Sequence, residues 1–383
     1  MEPQSIRKTY QYKLKPTPEQ ERMLDRTLML CRHVYNAAIG ERREAWRLRS
    51  VSITYYQQKA ELPGIKEAMP EYAEVNAQVL QDVVLRVDRA FQAYFRRLKS
   101  GEKPGYPQFH GKGRYNSFTY PQCGDHGGAR LDNGFLVLAK LGRIAVRWSR
   151  PLEGTPKTVT ISREADGWYV SISCAEAPIQ PLPPTSQEIG IDLGLEAFAT
   201  LSNGTRIFSP GWYRKAERAL KTAQRRVSRR KKGSNRRRKA VKLLAKAHQT
   251  VRRQRQDFHH NMALALVREY DTIYHEDLQV ANMLKNHHLA KSIQDEGWSA
   301  FLSILAFKAA YAGKRAVAVP PAYTSQNCSG CGRMVWKSLS VRWHQCPYED
   351  CGTHLHRDHN AALNILVLGE KRSRAGQALQ ALM

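Results

Sequence analysis

Four cysteines fall within a short stretch, as Cys328-Ser329-Gly330-Cys331 and Cys346-Pro347-Tyr348-Glu349-Asp350-Cys351, and no other feature restricts the chain so tightly. Two close pairs at this spacing put each pair on a tight turn and aim four sulfurs at one point, which suits tetrahedral zinc. Four protein ligands close the coordination sphere, so the expected role is structural, lending folding energy to a segment with little core of its own. The second pair has four intervening residues where two are commoner. Free buried thiols are the plain alternative, and His344, His354 and His356 are substitute ligands or outer neighbours. Cys31, Cys123 and Cys174 stand alone in sequence and are expected to be buried thiols.

The 383 residues carry 61 Lys+Arg against 34 Asp+Glu, a net charge of +27. Most of that excess lies in residues 214–255, with 19 Lys+Arg and a single acid, Glu217. So dense a run on folded helices repels itself unless a polyanion neutralises it, and for a soluble protein that polyanion is nucleic acid. Arg225, Arg226, Arg229, Arg230, Arg236, Arg237 and Arg238 are the candidate phosphate contacts. The best apolar stretch, residues 301–312, is broken by Lys308 and too short to span a bilayer, so a core helix and no membrane partner are expected. The N-terminus lacks a signal-peptide pattern, which suggests a cytoplasmic protein and fits thiols used for metal.

Residues 6–14 alternate with period two and read as a strand. Thr17, Pro18 and Gln20 then make a helix start with a capping box. Helical spacing of Leu24, Leu28, Cys31, Val34 and Tyr35, and again of Val79, Val83, Val87 and Phe91, predicts a helical unit over 15–103. After the turn-rich 103–107, short β-rich runs at 134–138, 143–148, 157–163 and 167–176 predict a small barrel or sandwich, which the first strand can join. A proline-rich linker leads to alternating strands and helices, an α/β layer, with strands near 189–192, 197–201, 206–208, 272–274 and 315–319. Helices are expected at 298–311 and 360–368.

Three acids then stand out. Asp192 and Glu276 end predicted strands, where ligands gather in open α/β sheets, and Asp358 precedes a helix. Carboxylates from distant segments can hold two Mg²⁺ ions about 4 Å apart and hydrolyse a phosphodiester. Taken singly, strand-end acids face solvent and an Asp before a helix is an N-cap.

These residues sit in Ile189-Gly190-Ile191-Asp192-Leu193-Gly194, Tyr274-His275-Glu276-Asp277-Leu278, Thr324-Ser325-Gln326-Asn327-Cys328 and Arg357-Asp358-His359-Asn360-Ala361-Ala362-Leu363-Asn364. In this order, with the cysteines between the last two, they resemble the TnpB proteins of insertion-sequence transposons, relatives of the type V CRISPR effector nucleases. Further matches are Lys103-Pro104-Gly105-Tyr106-Pro107 and Ser228-Arg229-Arg230-Lys231-Lys232-Gly233-Ser234. The resemblance implies a multidomain α+β chain. A helical recognition domain (15–103) would be inserted in a β-barrel wedge domain (1–14 and 104–180). An RNase H-like, RuvC nuclease domain (186–320 and 355–370) would follow, with an inserted zinc ribbon (321–354) and a tail (371–383).

It also implies an RNA-guided DNA endonuclease acting as a monomer. A transposon-derived guide RNA and double-stranded target DNA would be its partners, and cutting would occur beside a short target motif. Asp192, Glu276 and Asp358 would be the catalytic Mg²⁺ ligands and Cys328, Cys331, Cys346 and Cys351 the Zn²⁺ ligands. Tyr55, Gln81 and Thr119 match positions that contact the target motif, although ordinary surface polarity accounts for them too. The alternative function is a non-cleaving RNA- and DNA-binding regulator of transposition. His356 and His359 flank Asp358 where the family often carries acids, a departure that alters the local charge.

Overall fold

The computed structural model describes residues 5–338 and 340–381, with side chains to residue 374. Residues 1–4 of the expected first β segment and 382–383 of the expected tail lie outside them. The chain divides into two compact units, Met1–Pro178 and Ile179–Met383.

The first unit runs β1 (Ser5–Lys15), α1 (Pro18–Arg49), α2 (Tyr55–Ala68), α3 (Ala77–Lys99), β2 (Ser117–Tyr120), β3 (Ala129–Asp132), β4 (Phe135–Leu138), β5 (Gly142–Arg147), β6 (Thr155–Glu164) and β7 (Gly167–Pro178). The expected capping box starts α1. Thr17 Oγ1 accepts from the Gln20 backbone N–H, and Gln20 Oε1 accepts from that of Thr17. The strands form one sheet in the order β2-β6-β7-β1-β5-β4-β3, so β1 does sit at its centre, antiparallel to β7 and β5. The order is linear. Its edges meet through a single bridge, Cys123 to Ala129, so no continuous ladder closes the expected barrel among the described residues. Alternating residues of β1, Tyr10, Tyr12 and Leu14, enter one core with Leu24, Cys31 and Val34 of α1 and Val79, Val83 and Val87 of α3. Cys31 and Cys174 are buried as expected, and Cys123 is half-buried.

The second unit continues with β8 (Glu188–Asp192), β9 (Ala199–Leu201), β10 (Arg206–Ile207), α4 (Trp212–Ser228), α5 (Asn235–Glu269), β11 (Thr272–Glu276), α6 (Val280–Met283), α7 (His287–Glu296), α8 (Trp298–Tyr311), β12 (Arg315–Val319), β13 (Trp343–Gln345), β14 (His354–His356) and α9 (Arg357–Ala381). Its main sheet has the order β10-β9-β8-β11-β12. The β8-β11-β12 half is parallel and the β8-β9-β10 half antiparallel. Ile189, Ile191, Phe198 and Ile273 meet Leu266 of α5 and Trp298, Phe301 and Leu305 of α8 in the core.

The last helix begins three residues before the expected start and runs well past residue 368, so the expected tail from 371 continues the helix through Ala381. Two close approaches involve it. A Cβ on Gly190 would lie 2.2 Å from the Ala362 carbonyl oxygen, and one on Gly369 would strike the Tyr274 ring. Only glycine lets α9 lie that close to β8 and β11.

Candidate active site and metal centre

The parallel pairing of β8 with β11 ends at Ile191 opposite His275, and Asp192 and Glu276 each follow by one residue. Neighbouring strands lie about 4.8 Å apart, so the two acids come out side by side at the carboxyl end of the sheet. Asp358, in the first turn of α9, is carried over the same end. Its Oδ2 lies 3.7 Å from where a Cβ on Gly194 would stand, in the loop leaving β8. The three predicted acids therefore gather from segments far apart in sequence. Burial, with the Glu276 and Asp358 charges beside it, pushes the Asp192 carboxyl well above the ordinary range, against some relief from Arg357. Burial raises Glu276 too, opposed by the hydroxyl of Thr324.

Among the described residues, two groups of three or more donors lie within 4.8 Å of one another: the four cysteines, and Glu196 with His356 and Asp358. Asp192, Glu276 and Asp358 do not form so tight a set. A pair of cations about 4 Å apart needs a donor set wider than one cation does, and an all-oxygen set of crowded carboxylates suits hard divalent ions. Mutual repulsion in a recessed site is a cost that such cations remove.

Around Asp358 the departures from the family pattern have definite places. His356 lies between Glu196 and Asp358, with Nε2 3.5 Å from Glu196 Oε2 and Nδ1 3.8 Å from Asp358 Oδ2. Glu196 is already paired to Arg206. His359 turns away and bonds the Ser202 carbonyl at 3.0 Å.

The sulfurs converge as the spacing requires. Cys328 Sγ is 3.6 Å from Cys351 Sγ, and Cys331 Sγ is 3.7 Å from Cys346 Sγ. Four sulfurs about 2.3 Å from a tetrahedral zinc stand at about these separations from one another. The Arg333 guanidinium donates to Cys331 Sγ and brings that thiol down to about 6, favouring the thiolate that zinc binds. Burial pushes Cys346 up to about 12, a shift that a bound cation reverses. His344, His354 and His356 take no place in the sulfur cluster. His344 is instead buried against Lys337, and His354 stacks on Trp343.

Sequence reasoning gave no role to the residues that join this zinc segment to the sheet. Asn360 Nδ2 donates to the Asn327 carbonyl at 2.7 Å, and its Oδ1 accepts from the Ser329 N–H at 2.9 Å. One turn on, Asn364 Nδ2 donates to the carbonyls of Thr324 and Asn327, both at 2.8 Å. Arg357 reaches the Ser338 carbonyl and the Ser325 hydroxyl. Thr324, almost fully buried, turns its hydroxyl to Glu276 Oε1. The only sequence signal was a pair of asparagines four apart on one helix face, beside a motif of unexplained polar residues.

The basic stretch forms α4, α5 and their connection. Arg225, Arg226, Arg229 and Arg230 line one groove with Thr222. Arg237 has a different use, because its guanidinium donates to the carbonyls of Val227 and Arg230 and ties the end of α4 to the start of α5. Arg236 and Arg238 lie in the first turn of α5. In the first unit, Gln81 lines a groove with Tyr56, Lys59 and Lys66, while Tyr55 packs on the core edge against the Tyr56 ring. Thr119 belongs to β2, within the β-rich segment, and its hydroxyl meets Arg86 at 2.6 Å and Thr160 at 2.8 Å.

Comparison with known proteins places the chain among relatives. A family model described as a probable transposase matches residues 171–287, a Cas12f1-like TNB domain matches 298–365, and a helix-turn-helix domain matches 1–50. Among the described residues, the last region contains one strand and one continuous helix. A putative RNA-guided DNA endonuclease of Streptomyces pristinaespiralis is 37% identical over 98% of this chain and 93% of that protein. The putative RNA-guided DNA endonuclease InsQ of Escherichia coli K12 is 31% identical over 97% and 94%. In fold, the chain is similar to Cas12f1 in its complex with sgRNA and target DNA, with a TM-score of 0.59 at 14% identity over 95% of this chain and 99% of that one. With near-full-length relatives at these identities, the chain belongs to the TnpB family of transposon-associated, RNA-guided DNA endonucleases.

Proposed function

We propose that the protein is an RNA-guided DNA endonuclease of an insertion-sequence transposon, with Asp192, Glu276 and Asp358 as its catalytic carboxylates. One observation carries the assignment of the site: three acids from β8, β11 and α9 gather at the carboxyl end of one sheet, where burial and the Glu276 and Asp358 charges raise the Asp192 carboxyl. Guide pairing reads sequence, and the protein holds backbone and duplex shape, so its charge need only line a channel. The groove of Arg225, Arg226, Arg229 and Arg230 supplies part of that grip. In this reading the five-stranded sheet is a RuvC-like nuclease core, and residues 321–354 form a zinc ribbon inserted before its last helix. The remaining boundaries are a wedge at 1–14 and 104–180 around a helical domain at 15–103. Tyr55 and Gln81 are the residues assigned to the DNA beside the target, a reading supported for Gln81 by the Lys59 and Lys66 ammonium groups that share its groove.

Asp192, Glu276 and Asp358 would hold divalent cations, which when bound would supply Lewis-acid stabilisation of the phosphodiester and make an attacking water more acidic. The chain's own part is to hold the three acids in place, to keep the cleft recessed through α9, and to bind the polyanion close to a negatively charged centre. Purified protein with its RNA and a matched plasmid is expected to cut in Mg²⁺, and Asp192→Ala is expected to bind the RNA and leave the plasmid intact. Equal cutting by the two proteins sinks the site assignment. Binding without cutting by the parent favours the regulator.

A further inference from the structure

We propose that Thr324 is a positioning residue for Glu276, and that Asn360 and Asn364 make the zinc segment the support on which this contact rests. The inference builds on the metal site proposed above. Glu276 has one strand neighbour, Val319 of β12, and its side chain leaves the sheet into a cleft shared with two other acids. A carboxylate so placed turns away from its like-charged neighbours unless something holds it. The Thr324 hydroxyl, nearer to Glu276 Oε1 than to its other acceptor, the Pro321 carbonyl at 3.2 Å, donates to Oε1 and leaves Oε2 for a cation. That hydroxyl is itself fixed. Tyr323, the residue before, adopts the left-handed backbone region at φ 64°, a conformation costly for a bulky side chain and kept only where surroundings dictate it. On the other side, the Thr324 carbonyl accepts from Asn364, and Asn327 is held by both asparagines immediately before the first zinc cysteine. Sulfur cluster, asparagine pair, Thr324 and Glu276 thus form one unbroken chain of contacts.

Outer groups of this kind typically change metal affinity by about 10- to 100-fold when removed. The test measures Mn²⁺ binding to the RNA-bound full chain by electron paramagnetic resonance, beside the Mg²⁺ dependence of cleavage. Asp192→Ala is expected to abolish the bound Mn²⁺ signal. If it does not, the metal-site reading itself fails. Given that loss, Thr324→Val is expected to weaken Mn²⁺ binding by about 10-fold and move the Mg²⁺ midpoint for cleavage upward by a similar factor, with zinc content unchanged. Thr324→Ser, which keeps the hydroxyl, is expected to stay near the parent. Parent-like Mn²⁺ binding by Thr324→Val overturns the inference alone. An equal loss in Thr324→Ser does so as well, because the site would then need the methyl group and not the hydroxyl. If Thr324→Val does not fold, Thr324→Ala against Thr324→Ser makes the same comparison, and a parent-like Thr324→Ala overturns it.

Discussion

Gly190 of β8 and Ala362 of α9 meet backbone to backbone, with room for a hydrogen and none for a methyl group. Asp192 lies two residues beyond this contact on the strand, and Asp358 lies one helical turn before it. The crossing therefore sets the distance between two carboxylates, and the short apolar strand carries a glycine for reasons of geometry. Gly190→Ala forces the helix outward, at a cost of about 1–3 kcal/mol in stability. A displacement of about 1 Å at a reacting centre costs about 100-fold in rate. Single-turnover cleavage is expected to fall by at least that much while RNA affinity stays within about threefold. Near-parent cutting by Gly190→Ala is incompatible with this account of the crossing.

Asp192 contributes to stability with a sign opposite to that of a salt-bridged acid. Its folded pKa is raised, so the folded state holds a proton more tightly than the unfolded one. Stability from this group is present below the ordinary carboxylate range and is lost as pH climbs towards the raised value. At pH 7.5 in chelator, Asp192→Asn is expected to melt about 2–4 °C above the parent, although it cannot cut. Mg²⁺ should raise the parent melting temperature and leave the variant nearly unmoved. A variant that melts lower than the parent in chelator contradicts the crowding of the three carboxylates.

The parts of the molecule legible in the sequence are those where one physical requirement dominates. Cys328 and its partners point to a metal because four thiols in two close pairs at this spacing have few other uses. Strands β8 and β11 were readable as short apolar runs closed by acids, and β12 falls on residues 315–319 as expected. Where burial is slight, the pattern fades. Helix α2 buries only Gln58 and Leu62 and contains Pro63, so its apolar spacing carried no distinct signal. Strands β2 and β3 have four residues each, too few for alternation to stand out. Side-chain partners were beyond reach for a different reason. Arg237 looks like its neighbours in sequence, yet it serves the α4–α5 junction, and Thr119 is committed to Arg86. Thr324 lay inside a recognised motif, but its contact with Glu276 depends on a fold that joins residues 48 apart.

Zinc content offers a direct check on the four sulfurs. The protein is expected to carry one zinc per chain, and Cys328→Ser or Cys346→Ser to carry less than about a tenth of that by elemental analysis. Because the segment has a very small apolar cluster, Val335 with the cysteines, its folding depends on the metal. Protease is then expected to cut between residues 324 and 356 in both variants and to spare the parent. Full zinc loading in either variant removes that cysteine from the site.

The basic helices separate charge that binds from charge that builds. Arg225, Arg226, Arg229 and Arg230 share one groove, and each phosphate contact to single-stranded nucleic acid contributes about −0.7 to the slope of log affinity against log salt. Changing all four to Gln is expected to weaken RNA binding strongly at low salt and to flatten that slope by about 2–3. Arg237→Gln removes a similar formal charge per residue, but it takes the hydrogen bonds from Val227 and Arg230. Its expected effect is a lower melting temperature with a slope changed by less than about 0.5. Filter binding from 50 to 500 mM salt, beside thermal melts, separates the two. A slope left unchanged in the fourfold variant shows that the groove does not hold the RNA backbone, and a full unit lost in Arg237→Gln shows that its guanidinium does.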